Sequence, residues 1–432
     1  MSTFTIEGGK KLHGQITTGP AKNSAVALLA ASLMVEGQVT LKDVPRIQEV
    51  ERWLEILKSI GVKVDWQGGK NLRIDTSSPL TLGTIDPGAC ALVRSSLLLL
   101  GALAHREKTY KLYKSGGCKL GERTVRPHLY ALQKIGVQAI SKADYYEVKN
   151  GSLRSERIVM YESGDTPTEN AIMAAVFASG VTTITFASAN YMVQDLCYFL
   201  IAAGAKIQGV GTTTLTVTGV KRLKAQVTYS VMPDPIESMA FVALAITTKS
   251  RLTVANCPID FLELELEKLR VMNQRFTLTN GRLSANRKFR IADIVVEPSH
   301  LKALPDKLYG RPYPGLNIDN VPMFVPIFTS ARGRSLVHDW VYENRAIYYL
   351  ELQKLGAKVT LLDPHRIFIE GPTALFGNEI MCPPAIRAGM AILIAMLGAK
   401  GKSVLRNAYP IERAHEHLTE RLQGIGAVIT FT

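Results

Sequence analysis

Two patterns each recur six times along this chain, and repetition of that kind restricts the fold before any single residue is considered. The first is a short amphipathic helix that stops at a glycine and runs into a strand. Its copies are LEILKSIGVKV at Gly61, LYALQKIGVQAI at Gly136, YFLIAAGAKI at Gly204, LELQKLGAKVTL at Gly356 and LTERLQGIGAVITF at Gly426. Left-handed backbone at a helix end carries no Cβ penalty at glycine. A degenerate sixth copy, LEKLRVMNQRFTL, has Asn273 near that place, the next-best residue for the conformation. The spacings are 75, 68, about 69, about 83 and 70 residues. The second pattern is a small-residue-rich helix, a turn and a β-branched strand, in copies that begin at Asn23, Arg94, Glu169, Glu237, Asn320 and Ile386. Six copies in 432 residues give a unit of 72. These helices are apolar nearly all round, so each is covered on most sides, with the amphipathic helices outside them.

Each unit therefore holds two helices and several strands, and three units make a natural lobe. The expected class is α/β with two lobes. The break falls in VMPDPIES, residues 231 to 238, where two prolines interrupt the pattern. Lobe one is expected over residues 22–232 and lobe two over 1–21 plus 233–432. The N-terminal strand FTIEGGKKLHGQITT has no unit of its own to complete, so pairing with the far lobe is its natural outlet. A chain that starts in one lobe, builds the other and returns has two crossovers, a hinge and a cleft.

Composition excludes several classes. Apolar residues are 47% and charged residues 20%, without low-complexity tracts, which argues against disorder. The longest nearly uncharged apolar stretches, such as Ala25 to Val35, Ser95 to Ala104 and Ala388 to Ala399, fall short of the ~18–20 residues a bilayer span needs. The first residues show neither signal nor anchor, so no membrane partner and a cytoplasmic location are expected. The five cysteines (Cys90, Cys118, Cys197, Cys257, Cys382) form no CxxC pair, which suits free thiols and no metal site. The net charge of +14 fits either nucleic-acid or membrane binding, or a cleft that collects small polyanions. No run of five basic residues occurs, and the densest cluster, NRKFR at 286 to 290, sits in a strand-like stretch, which speaks against nucleic acid.

Several segments can carry chemistry. Lys22 and Asn23 stand at the start of a buried helix, where backbone N–H groups and the helix dipole favour an anion. Arg94, Arg387 and Asp319 precede equivalent helices in other units, as the polar lining of a cleft would. In KSGGCKLGERTVRPHL, residues 114 to 129, three glycines surround Cys118 among Lys114, Lys119, Arg123 and Arg126, and the next helix is expected from His128. Such a basic, mobile loop, about 114–127, lowers a thiol's pKa and makes it usable as acid, base or nucleophile. The other four cysteines lie in apolar segments and read as packing. Asp319, behind the Pro/Gly turn of RPYPGLNID, is either a general base or a helix N-cap. Glu343, Asn344 and Arg345 mark a strand-to-helix junction, and Arg413 a helix start, where a guanidinium holds carboxylate or phosphate. His415 and His417, two apart on an expected helix, read as a solvated face.

With these segments in hand, the whole chain resembles the enolpyruvyl transferase family, in the branch that acts on UDP-N-acetylglucosamine. The motifs are AKNS at 21 to 24, GGCKLGER at 116 to 123, TEN at 168 to 170, PYPGLNID at 312 to 319, VYENR at 341 to 345 and YPIERAHEHL at 409 to 418. The resemblance implies two lobes, each an inside-out α/β barrel of three repeats around buried helices. It implies transfer of the enolpyruvyl group from phosphoenolpyruvate to the sugar 3-hydroxyl, with loss of phosphate, in the first committed step of peptidoglycan synthesis. Lys22 and Asn23 match the pair that contacts phosphoenolpyruvate, and Arg94, Arg123, Arg387 and Arg413 match arginines that hold its anionic groups or the diphosphate. Cys118 matches the loop cysteine implicated in protonating the enolpyruvate carbon and alkylated by fosfomycin, and Asp319 the carboxylate that takes the hydroxyl proton. Arg123, Thr124, Val125, Arg126 and Pro127, with Gly164, Asp165, Thr166 and Val341, match segments that cradle the nucleotide, and Arg345, of the ENR motif, is expected among the substrate-binding residues. No cofactor or metal is implied, and the expected partners are the two small substrates, with the protein a monomer or weak homo-oligomer.

The chain departs from the family at Pro20, where glycine is usual, at Ala385, where an acid is usual, and at Arg126, where an acid is expected. These departures leave two further readings open. One is enolpyruvyl transfer to another acceptor, a different nucleotide or shikimate 3-phosphate; the other is a non-catalytic paralogue that binds nucleotide or RNA.

Overall fold

A computed structural model describes residues 2–115 and 124–432, so Cys118 and Arg123 lie outside the described residues. Contacts group the described residues into two compact units, residues 20–115 with 124–232 and residues 2–19 with 233–432.

Among the described residues each unit carries three sheets built to one plan. Three strands run antiparallel, because a hairpin follows each amphipathic helix, and in five of the six sheets a further edge strand adds in parallel. In the first unit, Gln38–Lys42, Leu72–Asp75 and Lys63–Trp66 form the antiparallel part of one sheet, and Gln226–Ser230 closes its edge. The second sheet has Thr109–Tyr113, Tyr145–Asn150 and Val137–Ser141; the third joins Lys206–Gln208, Thr214–Thr218, Val181–Thr185 and Arg157–Val159. Small-residue helices lie beneath them. Every residue from Ser24 to Ser32 of Lys22–Ser32 is buried, and Tyr191–Ala202 packs on both this helix and Asp165–Ala175.

The second unit repeats the plan and takes in the N-terminus. In the last sheet Thr3–Gly8 takes the middle place, between Gly401–Arg406 and Val428–Phe431. Phe4 and Ile6 are wholly buried there, opposite Leu405 and Ile429 among others. Gln15–Thr17 then adds in parallel to Leu252–Pro258. Burial on alternate residues fixes this register, since a one-residue slip would turn Phe4 and Ile6 outward. Helices Pro235–Thr247, Val321–Phe328 and Ile386–Gly398 pack on one another, and all thirteen residues of the first are buried. The glycines that stop the amphipathic helices, Gly61, Gly136, Gly204, Gly356 and Gly426, all have positive φ, as does Asn273 at 67°.

Local readings change in four places. NRKFR lies at the tip of the hairpin between Phe276–Leu283 and Arg290–Val296, where Ser284 and Asn286 side chains bond the turn backbone, so alternation there reflects a turn. The helix after the glycine loop starts at Arg126, two residues before His128, because Pro127 suits a first turn. The amphipathic element of the fifth unit is a 3₁₀ helix, Arg345–Leu355. The buried helix expected from Arg94 is broken into a 3₁₀ turn, Arg94–Leu98, and a single α turn, Leu99–Ala102. Asn170 explains the break: Gly101 N–H donates to its Oδ1 at 2.7 Å and its Nδ2 donates to Leu97 O at 3.1 Å. An α-helix would pair those two backbone groups with each other, and a side chain inserted in that ladder distorts it.

Candidate active site

The first unit gathers one set of the expected residues. Ala21, the N-cap of Lys22–Ser32, offers no side-chain cap, so the first turn keeps outward-facing donors. Lys22 Nζ lies 2.6 Å from Glu49 Oε2, whose other oxygen accepts from Ser95 Oγ at 3.0 Å, and Ser95 accepts from Trp53 Nε1 at 2.9 Å. Helix Gln48–Ser59 supplies Glu49 in its first turn and Trp53 one turn on, so one helix fixes both ends of the chain of bonds. Asn23 donates to the Tyr191 hydroxyl at 3.0 Å. Arg94, beside Ser95, donates to Thr124 O at 3.2 Å.

The nucleotide-loop expectations fall on two helix starts in this unit. Thr124 and Val125 precede Arg126–Ile135, with Arg126 exposed and Pro127 buried in its first turn. Gly164 is the N-cap of Asp165–Ala175. Asp165 accepts from Ser188 Oγ at 2.5 Å and Asn190 Nδ2 at 3.2 Å, which ties the helix start to the following loop. Thr166 Oγ1 lies 3.4 Å from His128 Nε2, and His128 Nδ1 lies 2.9 Å from Asn170 Nδ2. Burial, helped by the charge of Arg94, pushes His128 down to about 3, so the ring is neutral and Nδ1 accepts from Asn170.

The second unit holds the acidic centre. Asp319 follows the Pro/Gly turn just ahead of helix Val321–Phe328 and sits between two guanidiniums, with Arg345 Nη1 3.6 Å from Oδ1 and Arg387 Nε 3.5 Å from Oδ2. It caps nothing by its side chain; the N-cap is Asn320. Arg345, only 1% exposed, makes a two-pronged pair with Asp339 at 2.6 and 2.7 Å and donates to Ile318 O at 2.6 Å. Burial opposes its charge, but Tyr349, Asp339 and Asp319 more than offset that and hold it well above the usual range. Ala385, the N-cap of Ile386–Gly398, is buried and leaves that helix start without a side-chain cap beside Arg387.

Two expectations are corrected here. Arg413 ends the short helix Tyr409–Glu412 rather than starting one, with its guanidinium 5.9 Å from the Tyr409 ring. His415 and His417 lie in the turn that follows, and His417 has a left-handed backbone, so the two share no helix face. His417 is exposed, but His415 is buried, with Nδ1 3.6 Å from Glu237 Oε1. Glu237 also receives Arg421 at 2.7 and 3.0 Å and the Gly19 N–H at 2.5 Å.

Sequence reasoning missed Glu49, Ser95, Tyr191, Asp339 and Glu237. Each meets its partner across a gap in sequence or across a strand end, where periodicity carries no signal. Cys90, Cys197, Cys257 and Cys382 are buried free thiols; burial pushes Cys90, Cys257 and Cys382 up to about 12 and Cys197 further. Among the described residues no helix is long and apolar enough to span a membrane, and no group of three or more His, Cys, Asp or Glu could hold a metal ion.

The family profile described as EPSP synthase (3-phosphoshikimate 1-carboxyvinyltransferase) matches residues 6–422. A UDP-N-acetylglucosamine 1-carboxyvinyltransferase from Bradyrhizobium diazoefficiens is 35% identical over 99% of this chain and 97% of its own length. One from Treponema denticola is 32% identical over 99% of both chains. The enolpyruvyl transferase NikO from Streptomyces tendae superposes with a TM-score of 0.87 at 22% identity, over 100% of this chain and 99% of its own. An EPSP synthase from Acinetobacter baumannii gives 0.78 at 17%, over the whole of both chains. These two likenesses speak to the mixed α/β fold; the full-length sequence matches go further, and by them the chain belongs to the enolpyruvyl transferase family, alongside the UDP-N-acetylglucosamine 1-carboxyvinyltransferases.

Proposed function

We propose that the protein transfers the enolpyruvyl group from phosphoenolpyruvate to the 3-hydroxyl of UDP-N-acetylglucosamine, releasing phosphate, as the first committed step of peptidoglycan-precursor synthesis in the cytoplasm. The observation that carries this reading is the full-length match, at 35% identity, to a relative named for that activity. On this reading each unit is an inside-out α/β barrel, with lobes at 22–232 and at 1–21 plus 233–432.

The chemistry is addition and elimination. The hydroxyl adds to C2 of phosphoenolpyruvate while C3 takes a proton, and the resulting ketal then gives up a proton from C3 and expels phosphate from C2, which restores the double bond of the enolpyruvyl group. Asp319 accepts the hydroxyl proton; it has an oxygen toward each of two guanidiniums, which fixes its orientation without a metal. Lys22 is paired with Glu49 in the free protein, and the incoming phosphate takes over its ammonium. Asn23 and Arg94 complete that anion site, with Arg123, Arg387 and Arg413 serving the carboxylate and diphosphate. Cys118 delivers the proton to C3. Thr124 to Pro127, Gly164 to Thr166 and Val341 receive the nucleotide, and Arg345 supports Asp319.

The test is phosphate release from phosphoenolpyruvate with UDP-N-acetylglucosamine, beside UMP, shikimate 3-phosphate and no acceptor. Release that requires UDP-N-acetylglucosamine is expected, and Lys22→Ala should abolish it while the circular dichroism spectrum is kept. Release with another acceptor only would assign Ala385, Pro20 and Arg126 to a changed specificity; silence with all four, combined with salt-sensitive RNA retention, would replace transfer by binding.

A further inference from the structure

We propose that Asp339, held by Tyr349, is a positioning residue for the reaction: it fixes Arg345 and opposes that guanidinium's charge, so that Asp319 is held in place to take a proton. This rests on the reading of Asp319 as the base.

The geometry has a front and a back. At the front, Arg345 Nη1 faces Asp319 Oδ1 at 3.6 Å while Nη2 donates to the carbonyl of Ile318, the residue before it, at 2.6 Å. One planar group thus fixes both the carboxylate and the backbone that carries it. At the back, Asp339 takes Nε and Nη2 through its two oxygens at 2.6 and 2.7 Å. The Tyr349 hydroxyl donates to Asp339 Oδ2 at 2.6 Å, which fixes the rotation of that carboxylate. The side chains of Arg345 and Asp339 are 1% and 2% exposed, so water does not screen them. Strand Gly333–His338 ends just before Asp339, and Arg345 and Tyr349 stand one 3₁₀ turn and a residue apart, so rigid elements aim all three.

A base flanked by two uncompensated guanidiniums is a poor base, because both charges favour its ionised form. Arg387, the second guanidinium, lies 3.5 Å away. Asp339 opposes the charge of Arg345 from the side away from Asp319, and without it that charge would stand uncompensated beside the base. The Tyr342 ring lies 4.4 Å from the Arg345 guanidinium and His365 Nδ1 lies 3.3 Å from Asp339 O, and Glu265, packed on the same segment, accepts from Asn317 N–H at 3.1 Å and Asn320 Nδ2 at 2.8 Å, its carboxyl pushed up by burial. Asp234 faces Arg387 from the start of its own helix. Neither Glu265 nor Asp234 touches Arg345 in place of Asp339.

The experiment compares Asp339→Asn, Tyr349→Phe and Asp319→Asn with the wild type in kcat, KM and the pH dependence of kcat, with folded fraction measured at the assay temperature. Asp339→Asn should lower plateau kcat by roughly 10–100-fold and move the acid limb to lower pH, since the restored charge of Arg345 weakens the base. Tyr349→Phe keeps every charge, and should lower kcat by roughly 3–10-fold with the limb unmoved and both KM values kept. Wild-type kcat in Tyr349→Phe, or a folded Asp339→Asn whose limb stays put, overturns the assignment, and if Asp339→Asn does not fold the Tyr349→Phe result decides alone. Asp319→Asn separates the two readings. Activity in that variant removes Asp319 as base, whereas an inactive Asp319→Asn beside an unaltered Asp339→Asn removes only the positioning role.

Discussion

Replacing Glu237 by glutamine should destabilise the second unit by an amount that can be worked out beforehand. The carboxylate is buried, with 8% side-chain exposure, and takes two bonds from Arg421, one from the Gly19 N–H and a facing His415. It therefore joins the start of helix Pro235–Thr247 to the N-terminal strand and to the C-terminal segment, and Arg421 adds a bond to Thr17 O at 2.6 Å. Burial alone would raise the carboxyl, but His415 and Arg421 reverse this and hold it well below the carboxylate range. Breaking one partner of a buried pair costs ~3–5 kcal/mol. Arg421 is 23% exposed, so water recovers part of that, and we place the loss at about 2–3 kcal/mol. For a unit of roughly 200 residues this lowers the melting midpoint by about 5–10 °C, read by scanning calorimetry at pH 7. The pH dependence has a fixed sign. The folded value lies below the unfolded one near 4.5, so the stabilisation is complete above that pH and is lost as pH falls. At pH 4 the gap between wild type and Glu237→Gln should narrow by about 0.8 kcal/mol. Arg421→Met should be non-additive with it by about 2 kcal/mol. A midpoint shift under about 1 °C at pH 7, or simple additivity, would refute the reasoning.

Two further outcomes can be checked with standard methods. Because Cys90, Cys197, Cys257 and Cys382 are buried and their thiols pushed up, a thiol reagent on the native protein should leave those four peptides unmodified and reach all five cysteines only in denaturant; rapid native labelling of any of the four would show the packing around it to be wrong. Gly101→Ala places a Cβ 2.5 Å from Asn170 O and 2.7 Å from its Oδ1, with backbone on the far side and no flexible end to yield. A loss of about 3 kcal/mol or more, seen as lower melting or loss of soluble protein, is expected, and an unchanged midpoint would mean the two helices can part freely.

Most of the architecture is legible because it rests on local signals repeated six times. Helix stops at Gly61 or Gly356 need only the left-handed backbone of one residue, and Asn273 adopts it where glycine is missing. The N-terminal strand is legible by subtraction, since it precedes the first small-residue helix and has no unit of its own to complete, and it pairs in the second unit. The misreadings occur where a side chain from far away overrides the local pattern. Arg94 to Ala104 has the composition of a continuous helix, and only Asn170, some 70 residues on, interrupts its ladder. His415 looks like one of a solvated pair until Glu237 is placed opposite it. Asp339 gives no sign at all, since an aspartate at a strand end reads as a turn residue.

The same contrast separates cations that can serve an anionic substrate from those that cannot. Lys22 pairs with a glutamate that is itself 22% exposed, and an ammonium in such a pair exchanges partners more readily than a guanidinium in a buried one, because water and a phosphate can both replace the carboxylate. Arg345 is held by a two-pronged bond inside a closed, fully bonded group, and exchanging Asp339 for a ligand would strand a buried carboxylate. Sequence cannot make that distinction, because Lys22 and Arg345 both appear as a basic residue at a helix start. On the proposed reading their partners, Glu49 and Asp339, decide it: the first yields the Lys22 ammonium to phosphoenolpyruvate, and the second makes of Arg345 a brace for Asp319.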